Sequence, residues 1–347
     1  VEDDIGMVGV RLKVLGGDVD PQIGDGSVHL AQHSRHVLVK VYDAVMVAVE
    51  ADAPRVLIPQ RETGEDALPF GVFDPDRHRT FDLSLRGWVR EQTGFELGYV
   101  EQLYTFGDKD RETPEATLAG TAPNARVISV GYLALTPEAR PAGDSFEARW
   151  QSWYRFFPWE DHRSGRPAII DAHIAPRLMT WAAGNERRLE RARAAFALDG
   201  IRWIEERVLD RYELLYEAGL VIECARDAGL PEPDVRLGEP MASDHRRILA
   251  TAISRLRGKI KYRPVVFELM PDRFTLSSLQ RAVESILGLS LHTQNFRRAL
   301  DKTGFVIGTG AMETSTGGRP AELYSYNRDS AFDASTTGLS APRKTAD

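Results

Sequence analysis

FTLSSLQRAVESILGLSLHTQNFRRALDKTGF, residues 274–305, determines how the C-terminal part of this 347-residue chain folds. Apolar residues recur every three or four positions in its first half, and this spacing predicts one apolar stripe along a helix. The stripe consists of Leu276, Leu279, Val283, Ile286 and Leu287. Gly288 ends the helix, because glycine accepts the left-handed conformation that helix C-termini commonly need.

A hydroxyl residue begins this helix, and two pairs of residues fit the pattern of a cap. Thr275 has Ser278 three positions later, and Ser277 has Gln280 three positions later. The second pair has the form of a capping box, in which each side chain bonds to a backbone N–H group of the other residue. The sequence leaves both alternatives open.

A second helix is predicted from Thr293 to Lys302. Its buried side is predicted to carry Phe296, Ala299 and Leu300. Its outer side is predicted to carry Gln294, Arg297, Arg298 and Asp301. The exposed face of this helix is therefore mostly polar and basic.

Two short strands follow Gly304, at 305–307 and 323–326, and a loop rich in glycine and threonine joins them. A helix, a turn, a helix and a hairpin in this order predict a winged helix-turn-helix. Its second helix enters the major groove of DNA, and its wing contacts the backbone or the minor groove. The candidate DNA contacts are Thr275, Ser277, Ser278, Thr293, Gln294, Asn295, Arg297, Arg298, Lys302 and Arg319. The alternative is a winged helix that docks another protein or a second copy of the chain.

The distribution of charge favours DNA over the alternative. Residues 245–329 contain 14 Lys and Arg against 7 Asp and Glu, a net charge of +7. The whole chain carries −7, which leaves −14 on the rest. Nucleic acid attracts a cationic module and repels an acidic body, so this division suits a DNA-binding domain attached to a second domain.

Length and composition limit the class of protein. A chain of 347 residues with 42% hydrophobic content can bury a large core, and its length predicts two or three domains. No apolar run is long enough to span a membrane and no secretory signal is recognisable, so we expect a cytoplasmic protein with no membrane partner. The single cysteine and eight scattered histidines predict neither a disulfide framework nor a metal site.

Upstream, HVLVKVYDAVMVAV (36–49) and RVLIPQR (55–61) predict two strands joined by a short turn. LPFGVFDPDRHRTFDLSLRGWVREQTGFEL (68–97), VEQLYTFGD (100–108) and RVISVGYLAL (126–135) follow. Two strands, LPxG, a loop, a helix ending in Thr-Gly-apolar, and a strand leading to YTFGD resemble a Nudix domain. The resemblance implies an α/β/α sandwich whose helix holds Mg²⁺ beside a nucleoside diphosphate.

The Nudix box, G-x5-E-x7-R-E-U-x-E-E-x-G-U with U a bulky apolar residue, is eroded in this chain. Aligned on Gly94, it has Gly87 in place of Arg and Trp88 in place of the first Glu. Glu91 remains, and Gln92 replaces the last Glu. Because Mg²⁺ takes oxygen ligands and pyrophosphate hydrolysis depends on the metal, one helix carboxylate is too few. We therefore expect no catalytic residues, no bound metal or cofactor, and a ligand sensor in place of a hydrolase.

A Nudix-type cleft can bind a ligand without these acids. Arg61 at the end of its strand, Glu91 and Phe106 in YTFGD are the candidate effector contacts. Arg61 can equally be a solvated strand end, and Phe106 can equally be packed in the core. Acidic residues of the loop at 74–82 leave open a rebuilt metal site.

The remaining segments are predicted as follows. Residues 1–34 form a loose arm, with one strand near 8–14. Helical patterns at 168–197 and 201–228 predict a helical hairpin inserted before a linker at 231–240. A further helix begins after Ser243 or Asp244. The tail at 330–347 is small and polar and is expected to be disordered.

The combination of these parts resembles the Nudix-related transcriptional regulators of NAD metabolism. The stretches that carry the resemblance are Val100–Asp108, Asp244–Gln280 and Asn295–Tyr324. The resemblance implies a homodimeric repressor that binds a double-stranded DNA operator. It also implies that an effector related to ADP-ribose binds the Nudix-like domain and weakens DNA binding. The loop at 109–124 and the helical insert depart from the family and extend the range of effectors to other nucleotide or sugar metabolites.

The predicted fold is thus an α/β Nudix-type α/β/α sandwich with a helical insert and a C-terminal winged helix-turn-helix domain. The expected divisions are an arm (1–34), an effector-sensing domain (35–150), the insert and linker (151–242), the DNA-binding domain (243–329) and the tail (330–347). The alternative function is a divergent Nudix hydrolase of a nucleoside diphosphate derivative, with the winged helix used for dimerisation.

Overall fold

The computed structural model of the chain describes residues 38–50, 52–61, 64–73, 79–93, 97–107, 126–137, 139, 148–313 and 320–329. The described residues all belong to one unit of the chain, His36–Asp347. The predictions for the arm, for the strand near 8–14, for the loop at 109–124 and for the tail lie outside the described residues.

A six-stranded mixed sheet forms the first part of this unit. Its strands are β1 (Leu38–Glu50), β2 (Ala53–Pro59), β3 (Phe70–Val72), β4 (Val100–Phe106), β5 (Arg126–Leu135) and β6 (Ala148–Ser152). The order is β4-β5-β1-β2-β6, and β3 also pairs with β1. Strands β1 and β5 are parallel and the other pairs are antiparallel. The predicted hairpin is confirmed as β1 and β2, with Asp52 at a φ of 60° in the turn between them.

Alternating side chains bury both faces of this sheet. One face is covered by helix α1 (Phe81–Thr93), whose Leu85 and Val89 are fully buried. This face of the sheet consists of Tyr42, Ala44, Met46, Leu57, Val130, Tyr132 and Ala134. The opposite face, which includes Val45, Val47 and Leu133, packs in a second and larger core. The predicted α/β/α arrangement is confirmed.

The insert contains four short α-helices where two long ones were predicted. They are α2 (Ala175–Ala182), α3 (Glu186–Phe196), α4 (Val208–Glu217) and α5 (Ile222–Ala228), and a π-helical turn at Ile170–Ile174 precedes α2. Gly184 and Gly219 have φ values of 78° and 71°, and each separates two helices. The prediction of two long helices was wrong because the apolar spacing continues across both breaks. The helices on either side of each break bury their apolar residues in the same core, so the sequence pattern does not show the interruption.

The C-terminal part begins with helix α6 (His245–Ile260) and a 3-10 turn at Val265–Leu269. Helices α7 (Leu276–Leu287) and α8 (Thr293–Thr303) and strands β7 (Val306–Glu313) and β8 (Ala321–Tyr326) follow. Asp244, not Ser243, is the N-cap of α6, and it makes no side-chain cap hydrogen bond there. The winged helix-turn-helix is confirmed, and both wing strands are longer than predicted.

The larger core continues without a break from the sheet through the insert into the winged helix. Helix α6 joins these parts, because it contacts β1, β4 and β5, helix α4 and helix α7. In the winged helix, the rings of Phe267 and Tyr326 stack 4.3 Å apart at 10°. None of the described helices is both long and apolar enough to span a bilayer.

Candidate nucleic-acid interface and ligand cleft

The first helix of the winged domain, α7, begins at a capping box. Thr275 is the N-cap, and its hydroxyl accepts a hydrogen bond from Ser278 N–H at 3.1 Å. Ser278 Oγ in turn accepts a hydrogen bond from Thr275 N–H at 3.1 Å. Of the two possible pairs, the structure therefore has Thr275 with Ser278. Thr275 is buried by this role, whereas Ser277 is exposed and Ser278 is half-buried.

The turn between α7 and α8 is held by Gln280 and Glu284, in a contact that the sequence analysis did not predict. Glu284 accepts a hydrogen bond from Leu291 N–H at 2.7 Å and another from Gln280 Nε2 at 3.1 Å. Gln280 Nε2 also lies 3.2 Å from Leu291 O and 3.3 Å from Thr293 Oγ1. Their spacing of four positions on one helix was the available signal. These bonds fix the start of α8 relative to α7.

Helix α8 presents a polar and basic surface. Phe296 and Leu300 are fully buried and attach it to the core. Its exposed candidate DNA contacts are Thr293, Gln294, Arg297, Arg298 and Lys302, and Asn295 is half-buried. Among the described residues, no carboxylate forms a salt bridge with Arg297, Arg298 or Lys302. These cations are therefore available to an external anion.

The wing is a hairpin of β7 and β8 with a register shift between Gly308 and Met312. Phe274, just before α7, exchanges two backbone hydrogen bonds with Tyr324 of β8 at 2.8 and 3.0 Å. The wing is thus attached to the start of the first helix. Arg319, the predicted wing contact, lies outside the described residues.

The prediction from charge assumed that the basic residues of the C-terminal part face outward. In the structure, not all of them do. Among the described residues, seven of the fourteen cations in 245–329 pair with acids upstream of residue 245. They are Arg246, Arg247, Arg255, Arg257, Lys259, Lys261 and Arg281. Half of the positive charge therefore attaches α6 and α7 to the acidic body. Net charge alone could not distinguish ion pairs within the chain from cations that bind DNA. Either role gives a basic C-terminal part and an acidic remainder.

The most deeply buried of these contacts joins the insert to α6. Glu160 is fully buried and accepts hydrogen bonds from Arg211 Nε at 2.5 Å and from Arg257 Nη1 at 2.5 Å. Arg257 Nε also donates to Ile286 O at 2.8 Å, near the end of α7. Burial alone would raise the pKa of Glu160, but the charges of Arg211 and Arg257 outweigh it and hold that pKa below its usual range. One carboxylate thus holds two buried guanidinium groups.

A second buried pair joins another part of α6 to the insert. Arg246 and Glu223 are each 1% exposed and approach to 3.2 Å. Arg246 Nη2 donates to Phe156 O and to Leu237 O, both at 2.5 Å. Helix α6 is therefore attached by buried charge to two segments of the insert.

The structure does not bring the three candidate effector contacts into one site. Glu91 is an exposed residue of α1, on one side of the sheet, whereas Phe106 belongs to the core on the other side. Arg61 follows β2 and is half-buried. Strands β5 and β1 lie between β4, which carries Phe106, and β2, which precedes Arg61. At about 4.8 Å per strand, β4 and β2 are about 14 Å apart.

The positions that replace the Nudix acids have structural surroundings of their own. Trp88 packs edge-on against Tyr42 with ring centroids 5.8 Å apart, and nothing lies within 4 Å of a Cβ placed on Gly87. Asp82 pairs with Arg86 one turn along α1. Among the described residues, no three His, Cys, Asp or Glu side chains are grouped as a metal site. The acids at 74–78 lie outside the described residues.

Phe106 lies at a cleft of about 370 Å³ that the sequence analysis did not predict. Strand β4 and Gly107 form one wall, α4 forms the second with Leu209 and Glu213, and α6 forms the third with Arg247, Thr251 and Arg255. The insert therefore contributes one wall of a cleft in the Nudix-type domain. No sequence signal connects these three segments, because they come together only in the folded chain.

Comparison with known proteins identifies the C-terminal domain. Residues 266–326 match the NrtR DNA-binding winged helix domain family. A curated relative, the "ADPR responsive transcriptional repressor NtrR" of Acinetobacter baylyi, is 40% identical over 86 residues. The match covers 25% of this chain and about a third, 34%, of that relative's length.

Solved structures match the chain at the level of fold. Shewanella oneidensis NrtR in complex with a 27mer DNA has a TM-score of 0.52 and 20% identity, over 88% of this chain and 99% of that one. Shewanella oneidensis NrtR without DNA has a TM-score of 0.53 and 20% identity, over 87% and 99%. Residues 266–326 are therefore similar to the NrtR DNA-binding winged helix domain, and the chain shares its fold with these solved structures, a Nudix-type domain joined to a winged helix.

Proposed function

We propose that this protein is a transcriptional repressor of the NrtR type. It binds operator DNA through the winged helix, and its Nudix-type domain senses ADP-ribose or a related nucleotide or sugar metabolite. The observation that carries the proposal is the basic face of α8, whose Arg297, Arg298 and Lys302 form no salt bridge with any described residue, in a domain that matches the NrtR DNA-binding family. We further propose that the regulated genes serve NAD-related metabolism, as the resemblance implies.

In this proposal, α8 enters the major groove. Thr293, Gln294 and Arg297 are exposed toward the N-terminal half of α8, where a recognition helix contacts base edges. Ser277 and Ser278 lie in the first turn of α7, where the exposed hydroxyl of Ser277 suits a phosphate oxygen. Ser278 bonds to Thr275 in the cap and supports this turn. Thr275 acts by positioning this turn. Asn295, Arg298 and Lys302, with Arg319 of the wing, complete the proposed contacts.

The nucleotide effector is proposed by analogy with the Acinetobacter baylyi relative, whose name describes it as ADPR responsive and as a repressor. Helix α6 offers a physical route from the Nudix-type domain to DNA, because it contacts the sheet on one side and bonds to Ile286 O of α7 on the other. A ligand that shifts α6 changes the position of α7 and α8. Such a ligand alters DNA affinity only in so far as it binds the two arrangements differently.

Sensing is favoured over hydrolysis because α1 carries Glu91 where the Nudix box has three acids. Mg²⁺-dependent release of AMP from ADP-ribose is therefore expected at background. ADP-ribose is nevertheless expected to raise the thermal midpoint, since a ligand of the folded state stabilises it. If the wild type releases AMP and Glu91→Gln abolishes this activity, the protein is a Nudix hydrolase and the alternative function is correct.

We propose that the protein acts in the cytoplasm as a symmetric homodimer on a roughly palindromic operator, because one winged helix offers a small contact for selective binding. Footprinting is expected to show two half-sites related by two-fold symmetry. Protection of a single half-site by a monomer would contradict this arrangement.

The deciding experiment measures fluorescence anisotropy of a duplex taken from the segment upstream of the protein's own gene, with and without ADP-ribose. Arg297→Ala and Arg298→Ala are each expected to weaken binding by about 1–3 kcal/mol. Arg187→Ala is the matched control, because Arg187 is also exposed on a helix but lies in the insert. Equal operator affinity of the wild type and all three variants would refute DNA binding by α8.

A further inference from the structure

We infer that the cleft between β4, α4 and α6 is a nucleotide site, in which a planar ring lies on β4 and a phosphate lies on α6. The inference deepens the proposed function and rests on it, because it places the regulatory ligand away from the remnant of the Nudix box. The cleft volume of about 370 Å³ lies within the range of small-molecule sites.

The ring-binding side is formed by aromatic residues of β4. Tyr104 is 66% exposed, and its ring meets that of Phe106 edge-on with centroids 5.7 Å apart. Phe106 is buried, so it provides a fixed surface against which the ring of Tyr104 packs. A large exposed aromatic side chain beside a cleft is an efficient surface for a nucleobase, because stacking removes its apolar faces from water.

The anion-binding side is formed by one stripe of α6. Arg247, Thr251 and Arg255 are spaced four residues apart and so lie on one face of the helix. Glu213 of α4 is the acidic residue among the cleft's described lining, and it pairs with Arg247 at 2.7 Å. Glu213 compensates Arg247, whereas Arg255 and Lys259, one turn further along α6, share the single carboxylate of Glu101. One positive charge on this side of the cleft is therefore left for a ligand.

Arg255 is the cation that a phosphate would engage. It is 46% exposed and approaches Glu101 only to 3.6 Å. Glu101 has closer partners, Lys259 Nζ at 2.7 Å and Tyr99 Oη at 2.7 Å. Arg255 can therefore turn toward a ligand without leaving the half-buried carboxylate of Glu101 unpaired.

The insert extends the site. A second cavity of about 390 Å³, lined by Arg191 and Arg207, shares Leu209 and Glu213 with the first. An elongated dinucleotide-like ligand thus has room to continue along α4. The insert gives this chain a ligand wall formed by residues 209 and 213, which the Nudix sheet alone does not supply.

Ligand binding in the cleft acts directly on the helix that holds the winged domain. Arg255 and Arg257 are two residues apart on α6, and Arg257 donates to Ile286 O of α7 at 2.8 Å. A phosphate bound to Arg255 therefore contacts the same helix that is bonded to the helix-turn-helix.

Isothermal titration calorimetry of the full chain with AMP, adenosine and ADP-ribose tests the site. Wild type is expected to bind AMP about tenfold more tightly than adenosine, and Arg255→Gln to lose this preference, because a hydrogen bond to a charged group is lost. Tyr104→Ala is expected to weaken both ligands about fivefold. Arg90→Gln is the matched control, because Arg90 is exposed on α1 across the sheet.

Two outcomes would overturn the inference. One is the absence of AMP and ADP-ribose binding to the wild type. The other is binding of AMP that is unchanged in both Arg255→Gln and Tyr104→Ala. Loss of binding in Arg90→Gln or Glu91→Gln would then place the ligand on α1. Operator binding is measured separately without nucleotide, so failure of the site and failure of DNA recognition are distinguished.

Discussion

Glu160→Gln tests the buried ion cluster that joins the insert to α6. Glu160 accepts from Arg211 Nε and Nη2 at 2.5 and 2.8 Å and from Arg257 Nη1 at 2.5 Å, and all three side chains are 0% exposed. Glutamine keeps the shape but removes the charge and places an N–H₂ group against guanidinium donors. Two cations then remain buried without a counter-charge. Removing one partner of a buried ion pair costs about 3–5 kcal/mol, and that loss in the free energy of unfolding is expected.

Urea unfolding at pH 7, followed by far-UV circular dichroism and tryptophan fluorescence, measures this loss. Glu217→Gln is the matched control, since Glu217 pairs with Arg191 at 2.6 Å while both side chains are 42% and 51% exposed. That exposed pair is expected to contribute about 0.2–1 kcal/mol. Two variants that fall within 1 kcal/mol of each other would refute the argument from burial.

Acid provides an independent check on the same group. The pKa of Glu160 is depressed in the folded protein, because Arg211 and Arg257 outweigh its burial. Its contribution is therefore present above the unfolded-state pKa of about 4.3 and is lost as the pH falls through the lower folded-state pKa. The stability difference between wild type and Glu160→Gln is expected to narrow on acidification below about pH 4.

Three further results are expected. Thr275→Ala removes the cap of α7 and lowers the free energy of unfolding by about 1 kcal/mol, measured by urea titration. Ser277→Ala, in the same turn but with an exposed side chain outside the capping box, has little effect, and equal losses would contradict the cap. Burial lowers the pKa of His162 to about 4, so the folded state keeps it neutral, and stability falls by up to about 3 kcal/mol as the pH drops from about 6.5 to 4. His162→Phe lacks this part of the pH profile, and an unchanged profile would contradict it. Lys302→Ala weakens binding to all DNA sequences and reduces the salt slope of log K by about 1, whereas an unchanged slope excludes a phosphate contact.

The local elements near the C-terminus could be predicted closely. The stripe from Leu276 to Leu287, the glycines at 288 and 304 and the basic face of the next helix all appear where the periodicity placed them. Helix spacing and glycine conformation are properties of neighbouring residues, so sequence suffices for them. The insert was less predictable, because apolar spacing does not register a break such as the one at Gly184.

The sequence by itself determined which elements form, that an eroded Nudix box precedes a winged helix, and that α8 carries exposed arginines. Only the tertiary structure decided which charges remain available, because Arg246 and Arg257 look the same in sequence as Arg297 but are buried against acids far along the chain. It also separated Glu91 from Phe106 and brought α4 beside β4 to form the cleft. Ion pairing and cleft geometry depend on which distant segments come into contact in the folded chain. The spacing of residues along the sequence does not specify those contacts.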